Sequence, residues 1–334
     1  MSGAVVTLSI IIVNYRAWGH VREALCALRD GFPDDWEVIV VDNASEPGPF
    51  KESSEAFPWV RFIANRENSG FGRGCNLGVA KSTGTHLLFM NPDVIATSDQ
   101  LRTLMREKEA HPDVALLSPK QVDTHGRPQK VFDDFPSLPN RSRILKALLR
   151  LLFPSRYLDP RADHESLTYC DWITGSCVLV HRRDFDTIGG WCEDYWMYVE
   201  DADLCKRAHD RGLRAAYTPS VQVVHAHGGS SRINVDVTAL TKTEVIISKH
   251  VYTQNHGRGL RRRLGHLLTA LFKLPVLVPA ALLDLLFLRR VPFLRVRSKM
   301  LGGLIGYYLR ALRTGEWRSP RALANRVSGQ AGVC

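Results

Sequence analysis

Four short polar clusters hold the side chains best suited to chemistry. Asp42-Asn43 follows the apolar run Val38-Ile-Val-Val41. A carboxylate there can accept the imide N–H of a uracil or thymine ring, and the adjacent amide can both donate and accept. A plain turn favours the same two residue types. Asn68-Ser-Gly-Phe-Gly-Arg-Gly-Cys-Asn76 sets three glycines ahead of a helical pattern, where backbone N–H groups and a helix N-terminus favour an anion. Arg73 is within reach of a diphosphate bound there. The glycine spacing matches neither a dinucleotide fingerprint nor a Gly-Lys-Ser/Thr loop, which disfavours both of those sites. Asn91-Pro-Asp93 closes the apolar run His86–Met90. A carboxylate on a proline-stiffened turn suits Mg²⁺ or Mn²⁺ bridging phosphate oxygens, and helix capping is its competing use. Glu200-Asp-Ala-Asp203 opens a helical pattern, and His225-Ala-His227-Gly-Gly-Ser230 follows two short apolar runs. Three acids in four residues exceed what a helix dipole needs, whereas a lone histidine at a strand end is more often structural.

The elements that must position these groups follow from hydrophobic periodicity. Leu8–Val13 is a β-branched run ending at Asn14-Tyr15, and Val21, Leu25 and Leu28 then repeat with a helical period. The alternation continues with strands at Glu37–Val41, Val60–Ile63, His86–Met90 and Val114–Leu117. A polar loop is predicted at Asp42–Pro49, and helices at Gly74–Lys81 and Asp99–Ala110. Strands alternating with helices imply an α/β fold with a largely parallel central sheet flanked by helices, its ligands at the carboxyl ends of the strands. Pro119–Pro139 is polar and rich in breakers, which predicts a long surface excursion. A mixed segment at Leu167–His181, a helix at Asp201–Arg211 and two short strands at Leu213–Tyr217 and Val221–Val224 complete a domain over 1–230. A basic, apolar, helical region occupies 231–334.

Composition narrows the class. The chain has 334 residues and a formal charge of +10, enough length for a sizeable core. Fifteen Lys and Arg between Arg258 and Arg326 face only Asp284 and Glu316, so the basicity belongs to the tail. Seven scattered cysteines without Cys-x-x-Cys spacing fit a reducing compartment. The apolar run Val5–Val13 lacks a basic lead and a small-residue cleavage site, and is read as a buried strand rather than a signal peptide.

In this order the clusters resemble glycosyltransferase family 2, with its GT-A fold, and in particular rhamnosyltransferases of bacterial surface-polysaccharide assembly. The resembling segments are Ser9-Ile-Ile-Ile-Val-Asn-Tyr15, Val40-Val-Asp-Asn-Ala-Ser45, Glu67-Asn-Ser-Gly-Phe-Gly72, Asn91-Pro-Asp-Val94, Gly175-Ser-Cys-Val-Leu-Val-His-Arg182, Gly189-Gly-Trp191, Tyr198-Val-Glu-Asp-Ala-Asp-Leu204 and His225-x-x-Gly-x-Ser230. The resemblance implies inverting transfer of a sugar, L-rhamnose among the candidates, from a UDP- or dTDP-type donor to a glycan or polyprenyl-linked glycan. It implies donor contacts from Asn14, Asp42, Asn43, Asn68, Gly70, Arg73 and Asn91, with Asp42 on the base. Gly175, Ser176, Trp196 and Glu200 would line the sugar and acceptor pocket. Asp201 would be the general base, while Asp93 and His225 would hold Mg²⁺ or Mn²⁺. Asn91 replaces the first acid of the Asp-x-Asp pattern, leaving one carboxylate on the metal.

In the tail, residues 264–288 are apolar enough to suggest a membrane span, but His266, Lys273 and Asp284 interrupt the run, with Pro275 and Pro279. An ideal helix puts those three polar groups on one face. Burying Lys and Asp at a bilayer centre costs about 2.5 to 3.5 kcal/mol each, so a helix lying on an anionic membrane surface is expected. Arg261-Arg-Arg263, Arg289-Arg290, Arg295, Arg297 and Lys299 supply the matching charge. The expected location is the cytoplasm, at the inner face of the cell membrane. A packed helical appendage or a homodimer contact is the competing account. Two other function classes are a sugar-phosphate nucleotidyltransferase, disfavoured because only Asn14-Tyr-Arg16 follows Val13, and a nucleic-acid binder. No nucleic acid is expected, because the basic residues interleave with Leu and Val rather than with stacking aromatics.

Overall fold

A computed structural model describes residues 6–137, 143–154, 156–160, 162, 164–226 and 234–324. The chain divides into two compact units, one over 1–192 and 201–228, the other over 193–200 and 229–332. Pro139, the end of the His225-x-x-Gly-x-Ser230 motif beyond Ala226, the expected boundary near 230, and Arg326 lie outside the described residues.

The first unit begins with β1 (Leu8–Asn14), α1 (Trp18–Arg29), β2 (Trp36–Asn43), α2 (Pro47–Ala56), β3 (Arg61–Asn65), α3 (Phe71–Val79) and β4 (His86–Met90). It continues with β5 (Val94–Ile95), α4 (Ser98–Ala110), β6 (Val114–Val122), β7 (Phe132–Asp133) and α5 (Arg143–Leu152). The last elements are β8 (Thr168–Cys170), β9 (Trp172–Ile173), β10 (Cys177–His181), α6 (Arg182–Ile188), α7 (Glu200–His209) and β11 (Arg214–His225). The main sheet runs in the order β3-β2-β1-β4-β10-β6-β11-β5, with β8 paired to β11. Strands β3, β2, β1 and β4 are parallel, and all seven residues of β1 are buried, as a strand covered on both faces requires. Beyond β4 the sheet becomes mixed: β10 runs antiparallel to both β4 and β6, while β11 is parallel to β6. This topology brings the ends of β1, β2, β4, β6 and β11, and the start of β10, to one edge.

Several local expectations need correction. Pro119–Pro139 is not an open excursion: β6 continues through Val122, Gln121 is buried, and Val131 and Phe132 join the core. Polar residues sit there because the strand serves a polar edge. The two short strands expected at 213–224 are one strand, β11, interrupted by an irregularity between Thr218 and Gln222. The loop predicted at Asp42–Pro49 gives way to α2 at Pro47, where proline at the first turn costs no hydrogen bond. Helix α3 starts at Phe71 rather than Gly74, so Gly72 and Gly74 lie inside it.

The second unit contains α8 (Val235–His256), α9 (Gly259–Leu286), α10 (Pro292–Thr314) and α11 (Pro320–Ala324). Among the described residues α9 is the one helix long and apolar enough to cross a membrane. Its polar residues His266, Lys273 and Asp284 differ in burial. Asp284 is 1% exposed and His266 stacks on Trp317 at 3.9 Å, whereas Lys273 is exposed. A lysine stem can run along apolar surface while its charged head stays in water, so one face of the helix can carry both a buried Asp284 and an exposed Lys273.

Candidate functional site

The nucleotide-facing candidates begin where β1 and β2 end side by side, with Asn14 in register with Asp42. Asn14 Nδ2 donates to Asp42 Oδ1 at 2.7 Å, and Asp42 Oδ2 accepts from the Ser45 N–H at 2.9 Å. The turn between them passes through Ala44 at φ 61°, a conformation the Asp42–Ser45 bond holds in place. Both Asn14 and Asp42 are buried, which fixes the carboxylate's position before any ligand arrives. Asn43 is occupied differently. Its Nδ2 donates to the Gly70 carbonyl at 3.0 Å and its Oδ1 accepts from Asn65 Nδ2 at 3.1 Å, so it ties β2 to the glycine segment.

That segment departs from the anion-loop picture. A Cβ on Gly74 would stand 2.8 Å from Val13 Cγ1, and one on Gly78 would stand 2.5 Å from Ile11 Cγ2. A Cβ on Gly72 would meet Trp191 Cβ at 3.2 Å. These glycines let α3 lie close on β1 and on Trp191. Only Gly70, at φ 89°, answers to backbone conformation, and its N–H already donates to Asn68 Oδ1 at 3.2 Å. Arg73 is half-buried on the first turn of α3. Asn76, which sequence reading did not single out, clamps the Gly189-Gly-Trp191 segment. It donates to the Trp191 carbonyl at 2.9 Å and accepts the Trp191 N–H at 3.0 Å.

The Asn91-Pro-Asp93 turn and His225 meet because β5 pairs with the end of β11, Val94 opposite His225. Asp93 Oδ1 lies 3.3 Å from His225 Nε2, and the Ala226 N–H donates to the Asp93 carbonyl at 2.9 Å. His225 Nδ1 is 2.8 Å from Gln121 Oε1, which also accepts from Ser176 Oγ at 2.8 Å. A carbonyl oxygen only accepts, so Nδ1 carries a proton and Nε2 is the nitrogen that faces Asp93. A histidine oriented by its second nitrogen beside a carboxylate is a donor set suited to a divalent cation. No group of three or more His, Cys, Asp or Glu side chains able to hold a metal occurs among the described residues. The pair therefore fits an ion that takes one or two protein ligands beside phosphate oxygens. Gln121 carried no signal in the sequence, since it sits in the stretch read as surface.

Asp201 is held by two backbone donors, Gly175 N–H to Oδ2 at 3.1 Å and Ala202 N–H to Oδ1 at 2.8 Å. Burial raises its pKa above the ordinary carboxylate value, while these hydrogen bonds and Lys130 oppose that rise. A Cβ on Gly175 would sit in ordinary van der Waals contact with Phe71, Trp191 and the Asp201 Cβ at 3.4 to 3.5 Å, so it is the Gly175 N–H that matters here rather than the missing side chain. Thus residues 174–176, entering β10, reach three groups at once. Gly175 holds Asp201, the Ser176 hydroxyl holds Gln121 beneath His225, and the Ser176 carbonyl accepts the Asn91 N–H at 2.8 Å. Asp203, the third acid of its cluster, is structural: it pairs with Arg207 at 2.7 Å, and Arg207 also donates to the Ile188 carbonyl. Glu200 and Trp196 are buried and belong to the second unit, where the Arg321 guanidinium covers the Trp196 ring at 5.1 Å.

Comparison with known proteins bears on this arrangement. Residues 9–189 match the model of glycosyl transferase family 2, more than half of the chain. The chain is similar to the N-acetylglucosaminyl-diphospho-decaprenol L-rhamnosyltransferase of Mycobacterium tuberculosis, 27% identical over 233 residues, covering 65% of this chain and 75% of the relative. It is also similar to rhamnosyltransferase WbbL of Escherichia coli, 27% identical over 230 residues, covering 65% and 82%. Among solved structures, the Pyrobaculum calidifontis mannosyltransferase PcManGT, determined with GDP-Man and Mn²⁺, superposes with a TM-score of 0.51 at 16% identity. That alignment covers 90% of this chain and 86% of that one. The likeness establishes the GT-A fold.

Proposed function

Because the chain belongs to glycosyl transferase family 2 and is a glycosyltransferase, we propose that it transfers a sugar from a nucleoside diphosphate to a hydroxyl with inversion, Asp201 serving as general base. The observation that carries this reading is the 174–176 segment, which ties Asp201, the Asp93–His225 pair and the Asn91 turn to one short stretch. In the transfer, the acceptor oxygen bonds to the anomeric carbon as the bond to the diphosphate breaks, and the hydroxyl proton passes to Asp201. The burial that raises the Asp201 pKa makes it a stronger base than an exposed carboxylate. Asp42, fixed by Asn14 and Ser45, receives the nucleotide base; Asn43, Asn68 and Gly70 shape the adjoining wall, and Arg73 faces the diphosphate. Asp93 and His225 would hold a divalent cation, Mg²⁺ or Mn²⁺, which would supply Lewis-acid charge for the departing diphosphate.

Similarity to two rhamnosyltransferases supports L-rhamnose as the sugar, and the diphospho-decaprenol acceptor of the mycobacterial relative supports a polyprenyl-diphosphate glycan as the acceptor. A membrane-resident acceptor agrees with the second unit. Leu260, Leu264, Leu267, Leu271, Leu282 and Leu285 lie exposed along α9, and Arg261–Arg263 and Arg289-Arg290 flank its ends. We read α9 as resting on the anionic inner face of the cell membrane, apolar stripe inward, with the sheet unit in the cytoplasm.

A panel of UDP-, dTDP- and GDP-sugars with Mg²⁺ or Mn²⁺ tests the reading, with slow donor hydrolysis and calorimetric binding as readouts. One pyrimidine-linked donor is expected to bind and turn over, Asp42→Ala to lose nucleotide binding, and Asp93→Ala to lose the response to metal. Pyrophosphate release from a nucleoside triphosphate and a sugar phosphate would overturn it.

A further inference from the structure

The polar stretch after β6 carries a lysine to the sheet unit's polar edge, and the backbone on both sides of Lys130 is fixed. The Gln129 N–H donates to the Gln121 carbonyl at 2.9 Å, and the Gln129 side-chain amide donates to the His225 carbonyl at 2.7 Å. The Val131 carbonyl accepts the Thr174 N–H at 2.7 Å. β7 then pairs with β9, Phe132 opposite Ile173 and Asp133 opposite Trp172. Successive side chains of a strand point to opposite faces. Ile173 enters the core, so Trp172 and Thr174 lie on the other face, where both are half-buried. One residue beyond Thr174, the Gly175 N–H holds the Asp201 carboxylate. All of these groups belong to the sheet unit.

Lys130 Nζ stands 5.6 Å from the centre of the Trp172 ring and pairs with the Asp133 carboxylate. Asp133 is shared with Lys146 and Arg150 of α5, so a single carboxylate meets three cations. Trp172 is itself fixed, its indole N–H donating to the Asp134 carbonyl at 2.9 Å. The ammonium is therefore held over β9, and its charge acts on Asp201, opposing the burial that favours the protonated acid. Residues 172–176 bring no charge of their own. On α7, Asp203 is paired with Arg207, and burial keeps the Cys205 thiol protonated.

We propose that Lys130 is a positioning residue for the transfer: its ammonium, placed by Asp133 and the Trp172 ring, keeps the Asp201 carboxylate ionised and so able to accept the hydroxyl proton. The proposal rests on the assignment of Asp201 as general base. A buried base is strong but works only while deprotonated. A cation bonded to Asp133 secures that charge and leaves the Asp201 oxygens to the proton and the backbone. Removing the cation favours the protonated acid, so activity falls first on the acidic side of the pH profile.

The test uses the full-length chain with Lys130→Met, Lys130→Gln and Lys130→Arg, and with Lys130→Met also in an Asp201→Asn background. kcat for hydrolysis of whichever donor of the panel is accepted is measured against pH at saturating Mg²⁺ or Mn²⁺. Binding of its nucleoside diphosphate and the thermal midpoint are measured alongside. Lys130→Met and Lys130→Gln are expected to move the acidic limb to higher pH. Turnover on that limb should fall about tenfold, the lower end of what one neighbouring charge does to a carboxylate, while the plateau stays near wild type. Lys130→Arg keeps the charge and should leave the limb in place. The Lys130 side chain is 43% exposed, so nucleotide binding and thermal midpoint should hold in all three. Once Asp201 is Asn, Lys130→Met should cost no further turnover, since residues acting through one group are not additive. An unmoved limb in both Lys130→Met and Lys130→Gln, an equal loss at every pH, or a parallel loss of nucleotide binding would overturn the role of Lys130 while leaving the base assignment intact. Wild-type turnover by Asp201→Asn alone would remove the base assignment and the role of Lys130 together.

Discussion

In the sheet unit, apolar side chains fill the interior and polar ones collect at one edge; in the helical unit much of this order is inverted. β1 buries every residue and ends on Asn14, whose amide immediately finds Asp42. Helix α9 instead buries Asp284 and leaves Leu282 64% exposed, and α10 leaves Leu312 75% exposed. A surface in water selects against that second pattern, since contiguous exposed apolar area invites association. On the proposed function, the sheet edge receives a water-borne, charged donor, and the helices rest on an apolar boundary edged with negative charge. The buried polar groups differ as well: those at the sheet edge bond to one another and to backbone, while Glu244 accepts from Ser319 and lies 3.7 Å from Arg321, and burial lifts its pKa to about 7.

The largest effect is expected at the sheet edge: Asp201→Asn should lose at least about 10²-fold in turnover while nucleotide binding survives, measured by donor hydrolysis and calorimetry. Near-wild-type turnover would remove the base from this edge. Next, replacing both Arg289 and Arg290 by Gln should weaken flotation on anionic liposomes by about 30-fold, taking about 1 kcal/mol per basic residue at the surface. Unchanged flotation, or a salt-sensitive gel shift with nucleic acid in its place, would sink the membrane reading of the helices. A smaller change is expected from Gln121→Leu. Loss of the bond that orients His225 should raise the Mg²⁺ or Mn²⁺ concentration for half-maximal activity by about tenfold, with His225→Ala as the reference. An unmoved metal titration for both would take His225 out of the site.

The smallest effects concern pH, and they have opposite signs in the two units. His86, half-buried beside His181, has its pKa lowered from 6.5 to about 4, chiefly by desolvation. The unfolded chain therefore binds the proton more tightly, so His86's contribution to stability rises as pH increases from about 4 to 6.5 and is lost on acidification. Glu244 is raised from 4.5 to about 7, so the folded state holds the proton more tightly. Its contribution is present below 4.5 and is lost as pH rises to about 7. Thermal melts across this range should show Glu244→Gln removing the decline and His86→Phe removing the rise. Parallel profiles for the two variants and the wild type would show that neither group governs stability.

By itself, the sequence determined the strand–helix alternation, the buried β1, β2 and β4, and the polar residues that end them. Each rests on local periodicity, which adjacent residues carry. It also carried the Asp42, Asp93, Asp201 and His225 candidates, as polar residues at strand or helix ends. Only tertiary structure decided what those residues do to one another. Gln121 orients His225 across 104 residues, and Asn76 grips Trp191 across 115. The glycines of α3 answer to the close approach of Val13, Ile11 and Trp191. The inward turn of Asp284 on α9 and the grouping of Trp196 with the helical unit likewise depend on partners distant in the chain. Periodicity reports which side of an element is apolar; which atoms then meet is settled by register and close packing between elements, and neither is written in any one segment.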